Sequence, residues 1–142
     1  MLAGILALAL AAAFTGAAVY VSVAEQPGRL ALDDGALLRQ WQASYPRAAV
    51  MQGSLAGLSA LLGTAALWAS GDWRWVFGAG LIFANIPYTL IVMLPTNRRL
   101  QGLAPNAAES STRRALESWA RLHLVRDALG VLATAAYLWA AL

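Results

Sequence analysis

The residues best suited to chemistry lie close together, just before the last apolar segment of the chain. His123 is the only histidine, and Arg126 and Asp127 follow it within about one helical turn. Trp119, His123 and Arg126 are spaced by four and then three residues, which places them on one face of a helix. Ionisable side chains are costly at membrane depth, so this group indicates a functional site.

The chemistry these side chains favour is proton transfer beside a developing negative charge. Imidazole changes its protonation near neutral pH and serves as a general base, and a guanidinium stabilises an oxyanion. The chain has no cysteine and one histidine. We therefore predict no metal site within a single chain and no cofactor, although a haem or a metal ion is possible with His123 as its ligand.

The composition of the chain is that of a membrane protein. Its 142 residues are 60% hydrophobic and 12% charged, whereas soluble domains carry roughly 25% charged residues. All ten basic residues are arginines, and they flank apolar stretches rather than forming one patch. We therefore predict a lipid bilayer as a partner and no nucleic acid.

Four segments are long enough to cross a bilayer. A helix of about 20 apolar residues covers the roughly 30 Å hydrocarbon core. The run 128–142 is too short alone, so its helix must begin near Trp119, which draws His123 into the first turns. The first segment lacks a basic leader, so we expect it to be retained. We predict a single all-α domain, a four-transmembrane-helix bundle with spans at about 2–24, 48–70, 74–96 and 119–141.

Arginine placement predicts the orientation of these spans. Nine of the ten arginines lie in the first and third connecting regions, and only Arg74 lies in the second. The positive-inside rule then puts both termini on the non-cytoplasmic side of a cell or inner membrane. We therefore expect the group around His123, which lies at the arginine-rich side of the spans, to face the cytoplasm. Within the third region, Ser111 or Thr112 is the expected N-cap of the last helix.

This topology brings distant residues to one face, because spans one and three end where spans two and four begin. The candidate catalytic residues are Glu25, Asn97, His123 and Arg126. The candidate substrate-binding residues are Trp41, Tyr45, Gln52, Asn85, Tyr88 and Trp119. Together they predict a partly polar pocket with an apolar floor, open to the cytoplasm.

Each of these residues also has a purely structural interpretation. Glu25 could only neutralise Arg29 or Arg126, and Asn97 could only cap a helix end. Arg126 could extend to the headgroups. The aromatic residues Trp41, Tyr45 and Trp119 could form an interfacial belt. Asn85 and Tyr88 could be hydrogen-bond partners between helices. His123 could be a histidine at the membrane interface whose ring nitrogens are hydrogen-bonded and have no further role.

Short motifs run through nearly the whole chain: Gly16 and Tyr20, Glu25-x-Pro27-x-Arg29, Trp41-x-x-Ser44-Tyr45-x-Arg47, Pro87-Tyr88-Thr89, Pro95-x-Asn97-x-x-Leu100 and Trp119-x-x-x-His123-x-x-Arg126. In kind and order they resemble a known family, the anthrone oxygenase-like membrane proteins. That resemblance implies oxidation of an anthrone or similar polyketide aromatic by O2. It implies His123 as base, Arg126 as oxyanion partner and Asn97 as a group that orients the substrate carbonyl or the peroxide. Glu25 would orient His123 or Arg126, with Trp119 and Tyr88 as stacking walls.

Two other classes of function remain open at this stage. One is a haem- or metal-dependent membrane oxidase. The other is a non-enzymatic membrane protein that binds a lipid or another small molecule, and a homo-oligomer is possible in either case. A transporter is less favoured, because no charged residue lies in the middle of the first three spans.

Overall fold

The computed structural model describes residues 2–142, and within them it contains helices and no strands. Four helices are long and apolar enough to cross a membrane. This confirms the all-α prediction with four candidate membrane helices. They are α1 (Leu2–Leu30), α2 (Asp34–Ser70), α3 (Arg74–Gly102) and α4 (Ser110–Ala141).

The helices form a ring in chain order. Each helix packs against the next, and α4 closes the ring against α1. The α1–α2 and α3–α4 connections therefore lie at one end of the bundle, which we call the arginine-rich end. The α2–α3 connection and both chain ends lie at the other. This arrangement brings the ends of α1 and α3 beside the starts of α2 and α4.

The helices continue past the predicted spans at the arginine-rich end. Most of the region between spans one and two is helical, because α1 runs to Leu30 and α2 begins at Asp34. Asp33 caps α2, and the Ala36 amide donates a 2.9 Å hydrogen bond to its carboxylate. This bond stabilises the ionised form and lowers the pKa of Asp33. Arg113 then joins α4 to α2 through a 2.7 Å ion pair with Asp34.

The predicted N-cap of α4 is wrong by two or three residues. The helix begins directly after Glu109, whose dihedral angles are still extended, so Glu109 is the N-cap. The Glu109 amide donates to the Thr112 hydroxyl at 3.3 Å, so Thr112 occupies the third helical position instead. This reciprocal capping arrangement satisfies donors at the helix start that have no partner within the helix.

Away from the arginine-rich end, the core consists largely of alanines and glycines. We call it the small-residue layer. Tyr137 is fully buried there, between Gly63 and Gly78. A Cβ atom at either glycine would lie 2.2 or 2.6 Å from the tyrosine side chain, so only glycine permits this approach. The buried members of the layer are Ala7, Ala11, Phe14, Ala18, Ala56, Ala60, Ala66, Trp75, Ala79, Ile82, Ala133, Tyr137 and Ala140.

The second core cluster lies toward the arginine-rich end and contains large side chains. We call it the aromatic layer. Its buried members are Val21, Leu37, Leu38, Trp41, Met93, Leu100, Leu116 and Trp119. Eight of the nine buried polar side chains lie outside the small-residue layer, either among this cluster or between the two: Gln26, Arg29, Gln52, Asn85, Asn97, Thr112, His123 and Arg126. The polar chemistry is therefore segregated within the bundle.

Two helices contain a turn of π-helix close to these polar groups. One spans Val21–Glu25 in α1, and the other spans Thr89–Met93 in α3, shortly after Pro87. A π-helical turn rotates the residues that follow it around the helix axis, and such turns are frequent at functional sites. In α1 the turn holds Ser22, which contacts His123, and Glu25, which contacts Arg29.

Candidate active site

His123 is held in a defined orientation at the middle of the site. It is 3% exposed, and its Nδ1 lies 3.2 Å from the Ser22 hydroxyl and 3.3 Å from Oδ1 of Asp127. The Asp127 contact is electrostatic, because Oδ1 has no aligned hydrogen bond. A proton on Nδ1 suits both oxygens, which leaves the lone pair on Nε2. The imidazole is thereby oriented to accept a proton at Nε2.

Arg126 is buried with few partners, although it sits within a predicted membrane span. It is 7% exposed, and its Nη2 donates to Oε1 of Gln52 at 2.7 Å. Its guanidinium carbon lies 5.5 Å from the centre of the Phe14 ring. Nε has no hydrogen-bond partner among residues 2–142. A guanidinium carries five N–H donors, so this cation retains capacity for an anionic or carbonyl oxygen.

Asn97 joins three helices through its amide. Nδ2 donates to the Tyr45 hydroxyl at 2.8 Å, and Oδ1 accepts from Nε1 of Trp119 at 2.9 Å. Because Asn97 is 1% exposed, both bonds lie in the interior, where leaving either group unpaired is costly. Asn97 therefore fixes the position of two aromatic rings of the site, and it does not cap a helix end.

Aromatic rings form one wall of the site. Trp41 stacks on Tyr45 with ring centres 4.6 Å apart, and its edge meets Trp119 at 5.9 Å. Trp119 in turn lies 5.0 Å from the His123 ring. Trp41 and Trp119 are 0% and 5% exposed, so they are core residues and not an interfacial belt.

A second buried arginine, Arg29, has a hydrogen-bond partner on each of its three guanidinium nitrogens. Its donors reach Glu25 at 2.7 Å, Gln26 at 2.6 Å and Ser44 at 3.1 Å, with a further bond to Gln40. Gln40 also donates to the Glu25 carboxylate at 3.0 Å. Arg29 therefore has a structural role in an ion pair at the rim of the site, and in this it differs from Arg126.

Three neighbouring cavities surround these groups. The polar pocket, between His123 and Arg126, encloses about 20 Å³, which is room for about one water molecule. The α1–α4 cavity, of about 290 Å³, is lined by Ser22, Trp119 and His123. The α2–α3 cavity, of about 210 Å³, is lined by Tyr45, Gln52 and Arg126. Each larger cavity thus shares walls with the polar pocket.

The model of the anthrone oxygenase family matches residues 41–136, about two thirds of the chain. The chain belongs to the anthrone oxygenase family. The match includes the part of α2 that carries Gln52, the whole of α3 and most of α4. No curated protein and no solved structure matches the chain significantly.

The family match covers every candidate site residue except Glu25. The structure brings nine of these ten residues together around the polar pocket or the α2–α3 cavity, or in direct contact with a pocket residue: Glu25, Trp41, Tyr45, Gln52, Asn85, Asn97, Trp119, His123 and Arg126. The expected convergence of distant residues at one site is therefore seen in this anthrone oxygenase family member.

Three expectations about individual residues are not met. Glu25 binds Arg29 and Gln40 rather than orienting His123 or Arg126, because Arg29 lies one turn further along the same helix. Arg126 does not extend to the headgroups, because its side chain is enclosed beside Gln52 and Phe14. Tyr88 is not a stacking wall, since its hydroxyl donates to the Leu122 carbonyl at 2.9 Å and so joins α3 to α4.

Two residues of the site in this family member were not among the candidates. Asp127 is the carboxylate nearest to His123, and Ser22 is the hydroxyl nearest to it. Asp127 follows His123 by four residues, a spacing that places both on one helix face, so this pair was detectable in the sequence. The contact between Ser22 and His123 was not, because it depends on the π-helical turn of α1.

Proposed function

We propose that this protein is a membrane-embedded oxygenase that uses O2 to oxidise a flat, hydrophobic aromatic substrate resembling an anthrone. Family membership supports the reaction class. The observation that carries the proposal is the orientation of His123: Ser22 and Asp127 engage Nδ1, while Nε2 has no protein partner among residues 2–142. A carboxylate behind an imidazole is the arrangement by which enzymes orient a general base.

The reaction begins at a CH₂ group between two aryl rings. Nε2 of His123 removes one proton, and the resulting carbanion delocalises its charge onto the substrate carbonyl oxygen, where Arg126 stabilises it. The anion passes one electron to O2, and the carbon radical and superoxide combine to form the C–O bond of a peroxide. His123 returns the first proton to the peroxide. Cleavage of the O–O bond with loss of the second C–H proton then leaves a ketone and hydroxide, which takes up that second proton to form water. The carbon is oxidised, O2 is reduced, and the net change is CH₂ + O2 → C=O + H2O.

The bilayer supplies both reactants, since O2 and flat aromatic molecules partition into hydrocarbon. The α1–α4 cavity is the space through which such a substrate reaches His123, because Ser22, Trp119 and His123 all line it. The polar pocket is too small for an aromatic ring in this conformation. It is suited instead to the small oxygen species, beside Arg126.

We further propose that the reaction needs no bound metal or haem. Within residues 2–142 no group of three His, Cys, Asp or Glu side chains lies close enough to hold a metal ion. An absorption spectrum and metal analysis of the purified protein test this part of the proposal. A haem Soret band, or a stoichiometric metal, would contradict it and would assign His123 the role of a ligand.

The test of the reaction replaces His123 in protein reconstituted into lipid nanodiscs, with anthrone as the probe. O2 consumption and quinone formation are measured together. His123→Ala is expected to lower the rate by about 10²–10⁴-fold, the usual contribution of a general base. Val125→Ala is the matched control, because Val125 lies two residues away and is 42% exposed, on the outside of the bundle. Equal rates for His123→Ala and the unaltered protein would refute the base role.

We also propose that the arginine-rich end faces the cytoplasm, in keeping with the positive-inside rule. The chain has no cysteine, so single-cysteine variants report sidedness directly. Ser70 and Ser110 are both exposed and lie at opposite ends of the bundle. In intact cells a membrane-impermeant maleimide should label Ser70→Cys and not Ser110→Cys. The reverse labelling pattern would overturn this orientation.

A further inference from the structure

The arginines at the arginine-rich end differ in whether an acidic residue lies close to them. Most have one, as an ion-pair partner, as a carboxylate whose charge they stabilise, or as a neighbour on the same helix face. These groups are Arg29 with Glu25, Arg113 with Asp34, Arg39 with Asp33, Arg126 with Asp127, and Arg114 and Arg121 with Glu117. Among residues 2–142, three others have no acidic neighbour of these kinds, and we call them the basic cluster: Arg47, Arg98 and Arg99.

The sequence explains why the basic cluster is uncompensated. From residue 35 to residue 108 the chain has one acidic residue, Asp72. Asp72 pairs with Arg74 at 2.7 Å, at the opposite end of the bundle. The positive charge of the basic cluster is therefore available to an anion from outside the protein.

The basic cluster lies at one level of the bundle, on α2 and α3. The Asn97 amide donates to the Tyr45 hydroxyl at 2.8 Å, which places these two residues side by side. Arg47 follows Tyr45 by two residues, and Arg98 and Arg99 directly follow Asn97. All three arginines are exposed.

This level corresponds to the depth of the lipid headgroups. Arg47 directly precedes the predicted span 48–70, and Arg98 follows the predicted span 74–96 by two residues. Basic groups at this depth attract anionic lipids. Guanidinium groups bind phosphate oxygens through charge-assisted hydrogen bonds, often two at once. A phosphate group is therefore the anion that suits the basic cluster.

The α2–α3 cavity lies on the membrane side of the basic cluster, between the same two helices. Its apolar lining includes Ala49, Ile86, Leu90 and Leu94. Leu94 is one helical turn from Arg98, and Ile86 is three turns from it. At 1.5 Å per residue the cavity extends from about 6 Å to about 18 Å below Arg98. Half of the hydrocarbon core is about 15 Å thick, so the cavity belongs to the leaflet whose headgroups meet the basic cluster.

We propose that the basic cluster and the α2–α3 cavity together bind one anionic phospholipid. The basic cluster holds the headgroup phosphate, and one acyl chain lies against the apolar wall of the cavity. The α1–α4 cavity, on the other side of the bundle, remains open to an aromatic substrate. This binding goes beyond the oxygenase proposal, because it requires neither O2 nor His123.

Arginines on two sides of the same end provide matched variants for the headgroup. Arg98→Gln with Arg99→Gln removes two charges of the basic cluster. Arg114→Gln with Arg121→Gln removes the same charge from α4, where both arginines are exposed beside Glu117. A response to total charge alone would be equal in the two double variants.

The glycines of α2 provide matched variants for the acyl chain. A Cβ atom at Gly53 would meet nothing within 4 Å, and Gly53 lines the α2–α3 cavity. Gly57, one turn further along α2, is equally unobstructed but lines a different groove. Gly53→Leu therefore narrows the proposed site, and Gly57→Leu makes the same substitution outside it.

The experiment titrates phosphatidylglycerol into the purified chain in detergent and counts bound lipids by native mass spectrometry. Phosphatidylcholine is the zwitterionic probe. We expect one phosphatidylglycerol to bind at least about tenfold more tightly than phosphatidylcholine. Arg98→Gln with Arg99→Gln should weaken phosphatidylglycerol binding by about 10–30-fold, since each arginine at the membrane surface contributes about fivefold. The double variant of α4 should leave it nearly unchanged. Gly53→Leu should weaken the binding of both lipids, and Gly57→Leu should weaken neither.

Each contrary outcome overturns the proposal. Equal binding of the two phospholipids would show that the basic cluster does not recognise an anionic headgroup. Equal weakening by the two double arginine variants would reduce the effect to total charge. If both glycine variants behaved alike, or if inorganic phosphate displaced the bound lipid, the cavity would have no part in binding. His123→Ala should retain lipid binding, so failure of the oxygenase proposal and failure of this one give different results.

Discussion

The small-residue layer and the aromatic layer are built from the same four helices, but they differ in how the helices pack and in how their buried polar groups are paired. In the first, glycine and alanine bring the helix backbones together, and van der Waals contact replaces the hydrophobic drive that lipid cannot supply. Its buried hydroxyls are satisfied by main-chain carbonyls, as when Ser59 donates to Ala7 at 2.8 Å and Tyr137 donates to Ser59 at 3.0 Å. The second layer and its border contain side chains whose polar atoms remain unpaired, on Trp41, Asn85, Arg126 and Asp127. In the first layer the hydroxyls of Ser59 and Tyr137 are paired within the protein, whereas these four atoms of the second have no hydrogen-bond partner among residues 2–142.

The two buried arginines give the same contrast at the level of single residues. Arg29 binds Glu25, Gln26, Gln40 and Ser44, whereas Arg126 makes one hydrogen bond, to Gln52. A fully paired buried charge is structural, because removing it leaves its partners unpaired. Arg126 differs, because its Nε has no hydrogen-bond partner among residues 2–142.

The largest expected effect comes from exchanging each arginine for methionine. Arg126→Met should lower the oxygenase rate by about 10²–10³-fold, as for loss of an oxyanion donor, with little change in thermal stability. Arg29→Met should destabilise the fold by about 3–5 kcal/mol, since Glu25 loses its partner. Steady-state rates and thermal unfolding in nanodiscs measure the two quantities. The double variant Glu25→Gln with Arg29→Met is the control, and it should recover part of the lost stability. If Arg126→Met destabilised the protein as much as Arg29→Met, the distinction between the two arginines would fail.

A smaller effect is expected from steric change in the small-residue layer. Gly78→Leu should lower stability by about 1–3 kcal/mol or more, because its Cβ atom would lie 2.6 Å from the Tyr137 ring. Gly80→Leu, on the same helix, should be nearly neutral, because a Cβ atom there meets nothing within 4 Å. Thermal unfolding of the two variants side by side is the measurement. Equal melting temperatures would show that the contact between Gly78 and Tyr137 does not hold the layer together.

Much of the fold followed from local features of the chain. The lengths of the apolar runs predicted four helices, and the shortness of the last run required its helix to begin before His123. Chain order and helix length then placed Asn97, His123 and Arg126 at one end of the bundle. The helical extensions beyond the bilayer were missed, because their stability comes from pairs such as Arg113 with Asp34, which lie far apart in the chain.

The structure brings most of the candidate residues together, whereas their contacts with one another were predicted only in part. Pairs on one helix face, such as His123 with Asp127, follow from spacing alone. Pairs between helices depend on axial shift and rotation, which the π-helical turn at Val21–Glu25 alters. This is why Ser22 lies beside His123 while Glu25 turns toward Arg29.

The sequence by itself determined the number of helices, the segregation of arginines and the identity of the single imidazole, because these depend on composition and short-range spacing. Only the tertiary structure decided which polar atoms are satisfied. Among residues 2–142, it paired every guanidinium nitrogen of Arg29 and left Nε of Arg126 and Oδ1 of Asn85 without a hydrogen-bond partner. A buried polar group has a hydrogen-bond partner only where a neighbouring helix brings a suitable side chain within about 3 Å. That distance is set by packing rather than by order along the chain.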